Sequence, residues 1–324
     1  MRSKVFFINK SKLIVSSIAL CIPAYNAAEY LPRLLQSAKA QVIPFDEILV
    51  YNDCSTDNTK EIAEKFGATV IEGNVNSGCS TGKNRLAEIA KSDWLHFHDA
   101  DDELLPNFTS VAHKCINKPI TSDIILMHYQ YRDFITQQLM GEPDYTVEEI
   151  TSDPVRFTIT KKVVNFAVIK KVSFLNIGGF NIDASVLYNE DRAFYTRASI
   201  AGLSFDYEPE LTCINYYYPA SMSANNKARC ARAALNVWKL VKEKTGEKFN
   251  KEIAEQLLAN ATYAATAKDW KTVNSSVQMA ITIFPSVVPL GSRYFQWLYK
   301  VVPKKSFFIR EILIKYFTEK RRKN

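Results

Sequence analysis

Four short apolar segments, each followed by a polar loop and then by a helical pattern, constrain the fold of this chain most. They lie at residues 17–22, 47–51, 69–72 and 94–98. The stretch after the first one carries Leu31, Leu34, Leu35 and Ala38 at helical spacing. Repeated alternation of strand and helix predicts an α/β sheet, mainly parallel and flanked by helices. Ligands of such sheets bind beyond the carboxyl ends of the strands, so the polar loops there are the candidate site.

The loop after the fourth segment is the most acidic of these loops. In the sequence WLHFHDADDELLP, Asp99, Asp101 and Asp102 follow the apolar residues, and Glu103 stands behind them. Carboxylates about 4 Å apart repel each other by a few kcal/mol at a surface-like dielectric. A Mg²⁺ or Mn²⁺ ion shared with substrate phosphates would turn that repulsion into attraction. The alternative is that these acids merely favour the N-terminus of a following helix.

The remaining loops are polar as well. The second apolar segment ends in NDCSTDNT at residues 52–59, whose Ser, Asp and Asn side chains suit the N-cap of a helix that runs to Phe66. Asp53 and Asp99 both stand at predicted strand ends, in two separate strand–helix turns. Because those ends meet at one edge of a parallel sheet, we expect the two side chains to lie in one crevice.

Together these motifs resemble the ordered signature of the family 2 glycosyltransferases, which have the GT-A fold. IPAYN (22–26), NDCSTDNT (52–59), NSG…GKN (76–84) and DADD (99–102) are similar to the family's PxYN, DDGSTDxT, NxGxxxARN and DxDD. The resemblance continues with GGFN (178–181), with the acidic pair at 190–191 followed by Arg197, and with YYPASMS (217–223). It covers about residues 16–225. It implies a Rossmann-like catalytic domain at residues 1–225 and a helical C-terminal region at residues 226–324.

The resemblance also implies roles for individual residues. The nucleotide-sugar-binding set is Pro23, Tyr25, Asn26, Asp53, Asn76, Lys83, Asp99 and Ala100. Asp101 is the implied ligand of Mn²⁺ or Mg²⁺, with Asp99 assisting. Asp191 is the implied catalytic base, and its alternative is an ordinary first-turn acid of a helix at residues 189–201. Gly178, Gly179 and Glu190 would lie on the acceptor side.

Three departures from the family pattern affect the nucleotide site. Asn52 replaces the usual first Asp, and Cys54 replaces Gly. Gly82-Lys83 stands where Ala-Arg is common. Lys83 keeps a cation near the diphosphate but lacks the planar fork of Arg. We therefore expect nucleotide binding to persist, whereas these residues do not determine which base is preferred or how tightly the donor binds.

The function predicted from these features is inverting, metal-dependent glycosyl transfer. A nucleotide-diphosphate sugar, with UDP as the expected carrier, would donate to a glycan or lipid-linked acceptor in cell-surface polysaccharide synthesis. A nucleotidyltransferase on a related fold is disfavoured, because residues 22–26 contain no glycine for a phosphate loop. The third alternative, a catalytically inactive sugar-nucleotide-binding or scaffold protein, is disfavoured by the intact Asp53, Asp101 and Asp191.

The histidines and cysteines are weaker candidates for functional residues than the motif residues. Six scattered cysteines without C-x-x-C spacing predict neither a zinc site nor a disulfide framework, and fit the reduced thiols of a cytosol. His96 and His98 are interpreted as packed or solvated strand residues. Cys54 and Cys79 are interpreted as small fillers of the nucleotide loops. Tyr25 has two open roles, stacking on the nucleobase or packing.

Positive charge is concentrated at the C-terminus. The formal net charge is +7, and residues 300–324 hold nine lysines or arginines against Glu311 and Glu319, which accounts for the whole excess. Basicity confined to a tail predicts no nucleic-acid partner. No apolar run reaches the roughly 18 residues that span a bilayer, and the apolar part of residues 1–24 is interpreted as the first strand rather than a leader.

The C-terminal region reads as helices at residues 228–243, 251–267 and 272–284, packed against the catalytic domain or covering its acceptor side. In the last segment an apolar helix face precedes a basic run at 320–323. That face consists of Ile309, Ile312, Leu313, Tyr316 and Phe317. It predicts peripheral attachment through about residues 295–324 to an anionic membrane surface, at its cytoplasmic side. The alternative is that the apolar face docks on the protein itself.

Overall fold

The computed structural model describes residues 16–219 and 225–323, with side chains up to Thr318. Ser221 and Ser223 of the predicted closing motif lie outside the described residues, and so do residues 1–15. The side chains of the basic run at 320–323 also lie outside them.

Within the described residues, nine strands form one mixed sheet in the order β3-β2-β1-β4-β8-β6-β9-β5, with β7 beside β6. The bounds are β1 (Ile18–Ala24), β2 (Glu47–Asn52), β3 (Thr69–Glu72), β4 (Trp94–Phe97), β5 (Glu103–Leu104), β6 (Ile124–Asp133), β7 (Leu139–Gly141), β8 (Ala167–Lys170) and β9 (Phe205–Tyr217). β1 pairs in parallel with β2 and β4, and β6 pairs in parallel with β9. β8 runs antiparallel to both of its neighbours. The predicted sheet, mixed but mainly parallel, is confirmed.

Eight helices flank this sheet in the described part of the chain before residue 220. Their bounds are α1 (Leu31–Lys39), α2 (Thr59–Lys65), α3 (Cys79–Ile89), α4 (Phe108–Ile116), α5 (Val147–Ser152), α6 (Pro154–Thr160), α7 (Lys171–Asn176) and α8 (Glu190–Ile200). The predicted apolar face of α1 is buried. Burial of each large apolar side chain contributes about 1.5–3 kcal/mol, so this face fixes α1 against the sheet.

One local expectation is met by only one of its candidate residues, and another differs from the structure. Asn58 is the residue before α2, but its side chain accepts no capping bond. Asp57 caps instead, accepting the backbone N–H of Thr59 at 3.1 Å. The acidic cluster does not begin a helix: Glu103 and Leu104 form β5, and α4 starts only at Phe108. The helix-start interpretation of the acidic cluster is therefore wrong.

Five further helices follow in the described residues from 225 onward. They are α9 (Lys227–Thr245), α10 (Asn250–Thr266), α11 (Trp270–Ile283), α12 (Arg293–Val301) and α13 (Pro303–Lys323). Their buried side chains form one core with Ile159, Val186 and Ala193 of the preceding region. Trp238 of α9 is fully buried in this core. The helices are thus packed on the sheet domain, and a domain boundary at residue 225 stays a prediction. None of the described helices has the length and apolar character to cross a membrane.

Candidate active site

A buried lysine joins two of the predicted site residues. β4 ends at Phe97 and delivers Asp99, α3 carries Lys83, and the first turn of α8 carries Asp191. The Nζ atom of Lys83 lies 3.2 Å from Oδ1 of Asp99 and 3.8 Å from Oδ1 of Asp191. The Lys83 side chain is 3% exposed, against 44% for Asp99 and 31% for Asp191. Burial alone would lower the pKa of Lys83, but Asp99 and Asp191 hold that pKa well above its usual value.

Asp191 has the properties of a proton acceptor near neutral pH. Burial raises the pKa of its carboxyl from 3.8 to about 6, against the lowering effect of Lys83 and with a further raising effect of Asp99. A base with a pKa near the working pH combines the correct ionisation state with useful basicity. One third of the side chain is open, so a substrate hydroxyl has access to it.

The two inner carboxylates of the acidic loop have different environments. Asp102 is buried, and it accepts the backbone N–H of Tyr216 at 2.8 Å and the Nδ2 of Asn215 at 2.9 Å. It therefore anchors the loop to β9. Burial and the nearby Asp99 raise the pKa of Asp101 to about 6. No other described residue hydrogen-bonds to the carboxylate of Asp101, so its oxygens stay available.

These carboxylates fit a divalent cation. Asp101 offers uncommitted oxygens, and Asp99 offers the oxygen that does not face Lys83. Both belong to the hard donor class that Mg²⁺ and Mn²⁺ prefer. Burial first, and the charge of Asp99 second, raise the pKa of Asp101, and a bound cation would offset both effects.

The backbone of Asp101 is held by residues that the sequence analysis missed. The guanidinium of Arg33 donates to the carbonyl oxygen of Asp101, and the Tyr218 hydroxyl donates to the same oxygen at 3.1 Å. Arg33 lies between two rings, 4.8 Å from the centroid of Phe134 and 4.4 Å from that of Tyr216. In the sequence, Arg33 looks like any polar-face residue of an amphipathic helix, so no pattern could have identified it.

The nucleotide loops are tied to one another through two predicted residues. Asp53 is buried, and its two oxygens accept the backbone N–H groups of Ser77 and Gly78, each at 2.8 Å. Asn26 donates its backbone N–H to Ser55 Oγ at 2.9 Å and accepts that of Thr56 at 2.8 Å. Asp53 thus holds the loop before α3, and its reading of a nucleobase edge stays a prediction.

Tyr25 and Asn76 are exposed, while Pro23 and Ala100 are half-buried. Half of the Tyr25 surface is open, which leaves its ring free for stacking. Asn76 lines a cavity of about 230 Å³ together with Glu190, on the α8 side of the site. No described contact joins Tyr25 to the Asp99–Lys83–Asp191 group.

Of two departures from the family pattern, Gly82 has a local structural reason, whereas Cys54 stands where glycine would be favoured. A Cβ atom on Gly82 would lie 2.8 Å from Cδ1 of Tyr51 and 3.3 Å from Cβ of Pro23, so α3 approaches β2 too closely for alanine. Cys54 has φ = 63°, the left-handed conformation in which glycine carries no penalty. A cysteine there costs about 1–3 kcal/mol of backbone strain.

The predicted Gly178-Gly179 turn docks on α3. Both glycines have positive φ, 79° and 61°. Asn84 Nδ2 donates to the carbonyl of Phe180 at 2.9 Å, and the Phe180 N–H donates to Asn84 Oδ1 at 2.7 Å. A Cβ atom on Gly179 would lie 2.3 Å from that same Oδ1. Arg197 of α8 donates to the Gly179 carbonyl, so the turn links α3 to the helix that carries Asp191.

His96, His98 and Cys213 form a closed group in the core. Their ligand-type atoms lie within 4.8 Å of one another, and all three residues are fully buried. His96 Nε2 and His98 Nδ1 are 2.9 Å apart, and His96 Nδ1 donates to the Ala167 carbonyl at 2.9 Å. Burial lowers the pKa of His96 to about 4 and raises the pKa of the Cys213 thiol. We interpret the group as neutral core packing. None of the six cysteines, all of which lie in the described part of the chain, forms a disulfide bond.

Comparison with known proteins agrees with this geometry. Residues 19–163 match the family model described as glycosyl transferase family 2. The chain carries a family 2 glycosyltransferase domain. An uncharacterized glycosyltransferase of Haemophilus influenzae is 28% identical over 176 residues, 51% of this chain and 56% of that protein. The hyaluronan synthase of Pasteurella multocida is 32% identical over 126 residues, 35% of this chain and 13% of the synthase.

Solved structures share the fold of this glycosyltransferase domain, which is GT-A. The crystal structure of S. aureus TarS 1–349 in complex with UDP-GlcNAc has a TM-score of 0.66 at 18% identity, covering 83% of this chain and 82% of that one. The mannosyltransferase PcManGT of Pyrobaculum calidifontis, in complex with GDP-Man and Mn²⁺, has a TM-score of 0.57 at 16% identity, covering 94% and 82%. The chain spans only 56%, 61% and 64% of the first three curated relatives.

Proposed function

We propose that this chain is an inverting, metal-dependent glycosyltransferase that uses a nucleotide-diphosphate sugar. The observation that carries the proposal is the placement of Lys83 between Asp99, at the end of β4, and Asp191, at the start of α8. The ammonium group of Lys83 thereby holds the acidic loop on one side of the place where a sugar would react, and the candidate base on the other. The family 2 match over residues 19–163 supports the same reading.

In the proposed reaction the acceptor oxygen attacks the anomeric carbon while Asp191 takes the hydroxyl proton. The new glycosidic C–O bond forms as the bond from the anomeric carbon to the phosphate oxygen breaks, and the nucleoside diphosphate leaves with that electron pair. A single displacement of this kind inverts the anomeric centre and needs one base and no enzyme nucleophile. Lys83 supplies fixed positive charge beside the leaving group.

Asp101 and Asp99 would hold Mn²⁺ or Mg²⁺, which supplies Lewis-acid neutralisation of the diphosphate. The chain's own contribution is to fix Asp101, whose main chain is held by Arg33 and Tyr218 and whose neighbour Asp102 is bonded to β9. A structural neighbour bound to GDP-Man and Mn²⁺ supports the use of a divalent metal.

UDP-linked sugars are the proposed donors, and a glycan or lipid-linked saccharide is the proposed acceptor. The TarS complex with UDP-GlcNAc supports the donor class. Relatives called hyaluronan synthase, chondroitin synthase and putative teichuronic acid biosynthesis glycosyltransferase support a role in cell-surface polysaccharide synthesis. The reaction would take place in the cytoplasm or at the inner face of the cell membrane.

A donor panel tests the proposal directly. Thermal shift with UDP-, GDP- and dTDP-sugars, with and without Mn²⁺, should show stabilisation by one nucleotide class that needs the metal. Slow hydrolysis of that donor in the absence of acceptor should accompany it. Binding without any hydrolysis or transfer would favour the inactive scaffold alternative, and no binding of any donor would reject the proposal.

We also propose peripheral attachment to an anionic membrane through α12 and α13. Large apolar side chains stay exposed there, among them Trp297, Ile312, Tyr316 and Phe317. Exposed Lys300, Lys304 and Lys305 lie on the same two helices, and each basic residue near an anionic surface contributes about 1 kcal/mol. The apolar face is less regular than the sequence predicted, because Phe308 and Ile314 are exposed too whereas Ile309 and Leu313 are half-buried.

A further inference from the structure

A second polar cavity lies on the other side of α8, between the sheet domain and the C-terminal helices. Its volume is about 370 Å³. Its wall includes Lys162, which follows α6, Arg192 of α8, Trp238 of α9, and Gln256 and Tyr263 of α10. It is therefore assembled only when the helices after residue 225 pack on α6 and α8. We name it the cationic pocket.

The charges of this cavity are unbalanced. Lys162 and Arg192 both line it, and no aspartate or glutamate does. Neither cation has a carboxylate within 4.0 Å among the described residues, whereas Arg156, on the neighbouring helix α6, pairs with Glu252 and Asp153. A cation that is partly removed from water without an anion destabilises the fold, and Arg192 is half-buried in this way beside the exposed Lys162. Two neighbouring cations without a carboxylate favour a ligand of opposite charge.

Arg192 is held in place without being neutralised. Its guanidinium lies 4.8 Å from the centroid of the Trp238 ring, and its Nη1 is 3.5 Å from Oε1 of Gln256. Burial lowers the pKa of Arg192 to about 10, and burial together with Arg192 lowers the pKa of Lys162. Lys162 is nevertheless solvent-exposed and Arg192 half-buried, so an incoming ligand can reach both.

The cationic pocket adjoins the proposed base. Arg192 follows Asp191 directly in the first turn of α8, and successive helical residues point about 100° apart. Asp191 therefore faces Lys83 and the donor side, while Arg192 faces the pocket. The charge of Asp191 is also close enough to act on Lys162. A molecule held in the pocket can thus extend one group toward Asp191.

We infer that the cationic pocket binds an anionic group of the acceptor, a phosphate ester or a carboxylate on a saccharide. Lys162 and Arg192 bind the anion, and the amide of Gln256 and the hydroxyl of Tyr263 border the sugar next to it. The word acceptor rests on the proposed function, but binding of the anion does not. The charge pattern selects against neutral acceptors, since these would leave both cations unpaired.

The test measures anion binding by the full chain without donor or metal. Inorganic phosphate and D-glucuronate distinguish phosphate from carboxylate, methyl β-D-glucoside is the neutral probe, and sodium chloride at equal ionic strength controls for screening. We expect one or both anions to raise the melting temperature in a saturable way and the glucoside to have no effect. The double variant Lys162→Gln/Arg192→Gln should weaken anion binding by at least about tenfold, because hydrogen bonds to charged groups are among the stronger ones.

The controls separate ligand binding from a structural role. Lys39→Gln removes a lysine that also lies over a ring, 5.5 Å from the centroid of Phe66, and should bind anions like the wild type. Arg192→Lys should keep much of the binding. Without ligand, the double variant should melt no lower than the wild type, because its unpaired cations are gone. Anion binding that survives the double variant, or no saturable binding by the wild type, would overturn the inference. If the wild-type protein binds anions but transfers no sugar, that result would count against the proposed function and not against the cationic pocket.

Discussion

The acidic loop at Asp99–Glu103 and the cationic pocket have opposite imbalances of charge. In the loop, burial and neighbouring carboxylates raise the pKa of Asp101 to about 6. In the pocket, burial lowers the pKa of Arg192 to about 10, and no acid lines the wall. Each region is therefore stable in its present geometry only at an electrostatic cost that a ligand of the opposite charge would offset.

The two regions also differ in how firmly they are held. Asp102 is bonded twice to β9, and Arg33 and Tyr218 converge on the Asp101 carbonyl. The guanidinium of Arg192 has one long hydrogen bond and a ring contact. A rigid acidic site suits a donor and metal of fixed geometry, whereas a loosely held cationic site suits an acceptor whose shape varies along a glycan. The following predictions test this contrast.

The largest effect is expected at the acidic loop. Asp101→Ala removes the carboxylate that has no other partner, so turnover should fall by about 10³-fold or more, as on loss of preorganised charge stabilisation. Stabilisation by UDP that depends on Mn²⁺ should disappear. Kinetics and thermal shift with UDP and Mn²⁺ provide the measurement. Glu88→Ala, at an exposed acid of α3, is the control, and normal Mn²⁺-dependent turnover of Asp101→Ala would refute the assignment.

Asp191 stands between the two regions, and its loss should affect chemistry alone. Asp191→Asn keeps the shape and removes the proton-accepting oxygen, so transfer should fall by at least about 10²-fold. Donor binding by thermal shift should stay near wild type. A variant that transfers normally, or one that fails to bind UDP, would move the base to another residue.

Acidification should reproduce part of that loss in the wild type. Because the pKa of Asp191 is raised from 3.8 to about 6, the carboxylate is ionised and active above that value and protonated below it. At saturating donor and metal, log kcat should be flat above about pH 6 and fall by about one unit per pH unit below it. A profile still flat at pH 5 would contradict this assignment. The fall below about pH 6 should be absent from the residual activity of Asp191→Asn.

Arg33 tests whether rigidity of the acidic loop matters. It acts on Asp101 through the backbone, so we treat it as a positioning residue. Arg33→Gln should raise the KM for Mn²⁺ by about tenfold, since a mispositioned ligand weakens a metal site to about this extent, with a smaller loss in kcat. Arg33→Lys should recover part of the affinity, and Arg85→Lys on the surface of α3 should change neither constant. Equal changes in both constants would indicate general destabilisation.

The smallest effect concerns the tail, whose positive charge offers an alternative to the pocket for recognising lipid-linked anions. Truncation before α12 would remove the buried Phe295, Tyr299 and Phe307, so point variants are preferable. Trp297→Ser/Phe317→Ser should weaken sedimentation with vesicles of anionic lipid by at least about tenfold, because full burial of each large apolar side chain would contribute about 1.5–3 kcal/mol. Ile120→Ser, at an exposed position elsewhere, should have no effect. Equal sedimentation of the two variants would refute membrane attachment through this surface.

Short-range patterns in the sequence determine much of the sheet domain. Strand–helix alternation predicts the mainly parallel sheet, which is confirmed, whereas a crevice shared by Asp53 and Asp99 stays a prediction. The sheet can be predicted because hydrophobic period and turn chemistry depend on residues close together in the chain. The roles of Asp101 and Asp191 followed from motif order and remain predictions.

Contacts between distant parts of the chain decided the rest. Lys83 joins Asp99 and Asp191 across more than a hundred residues, and Arg33 reaches Asp101 from α1. The sequence offers no sign of either contact, because the partners' spacing matches no helix or strand period. The cationic pocket depends on tertiary structure most of all. Lys162 and Arg192 stand thirty positions apart in the chain, and they line one cavity because α9 and α10 pack beside α8, where Arg192 is half-buried and Lys162 stays exposed.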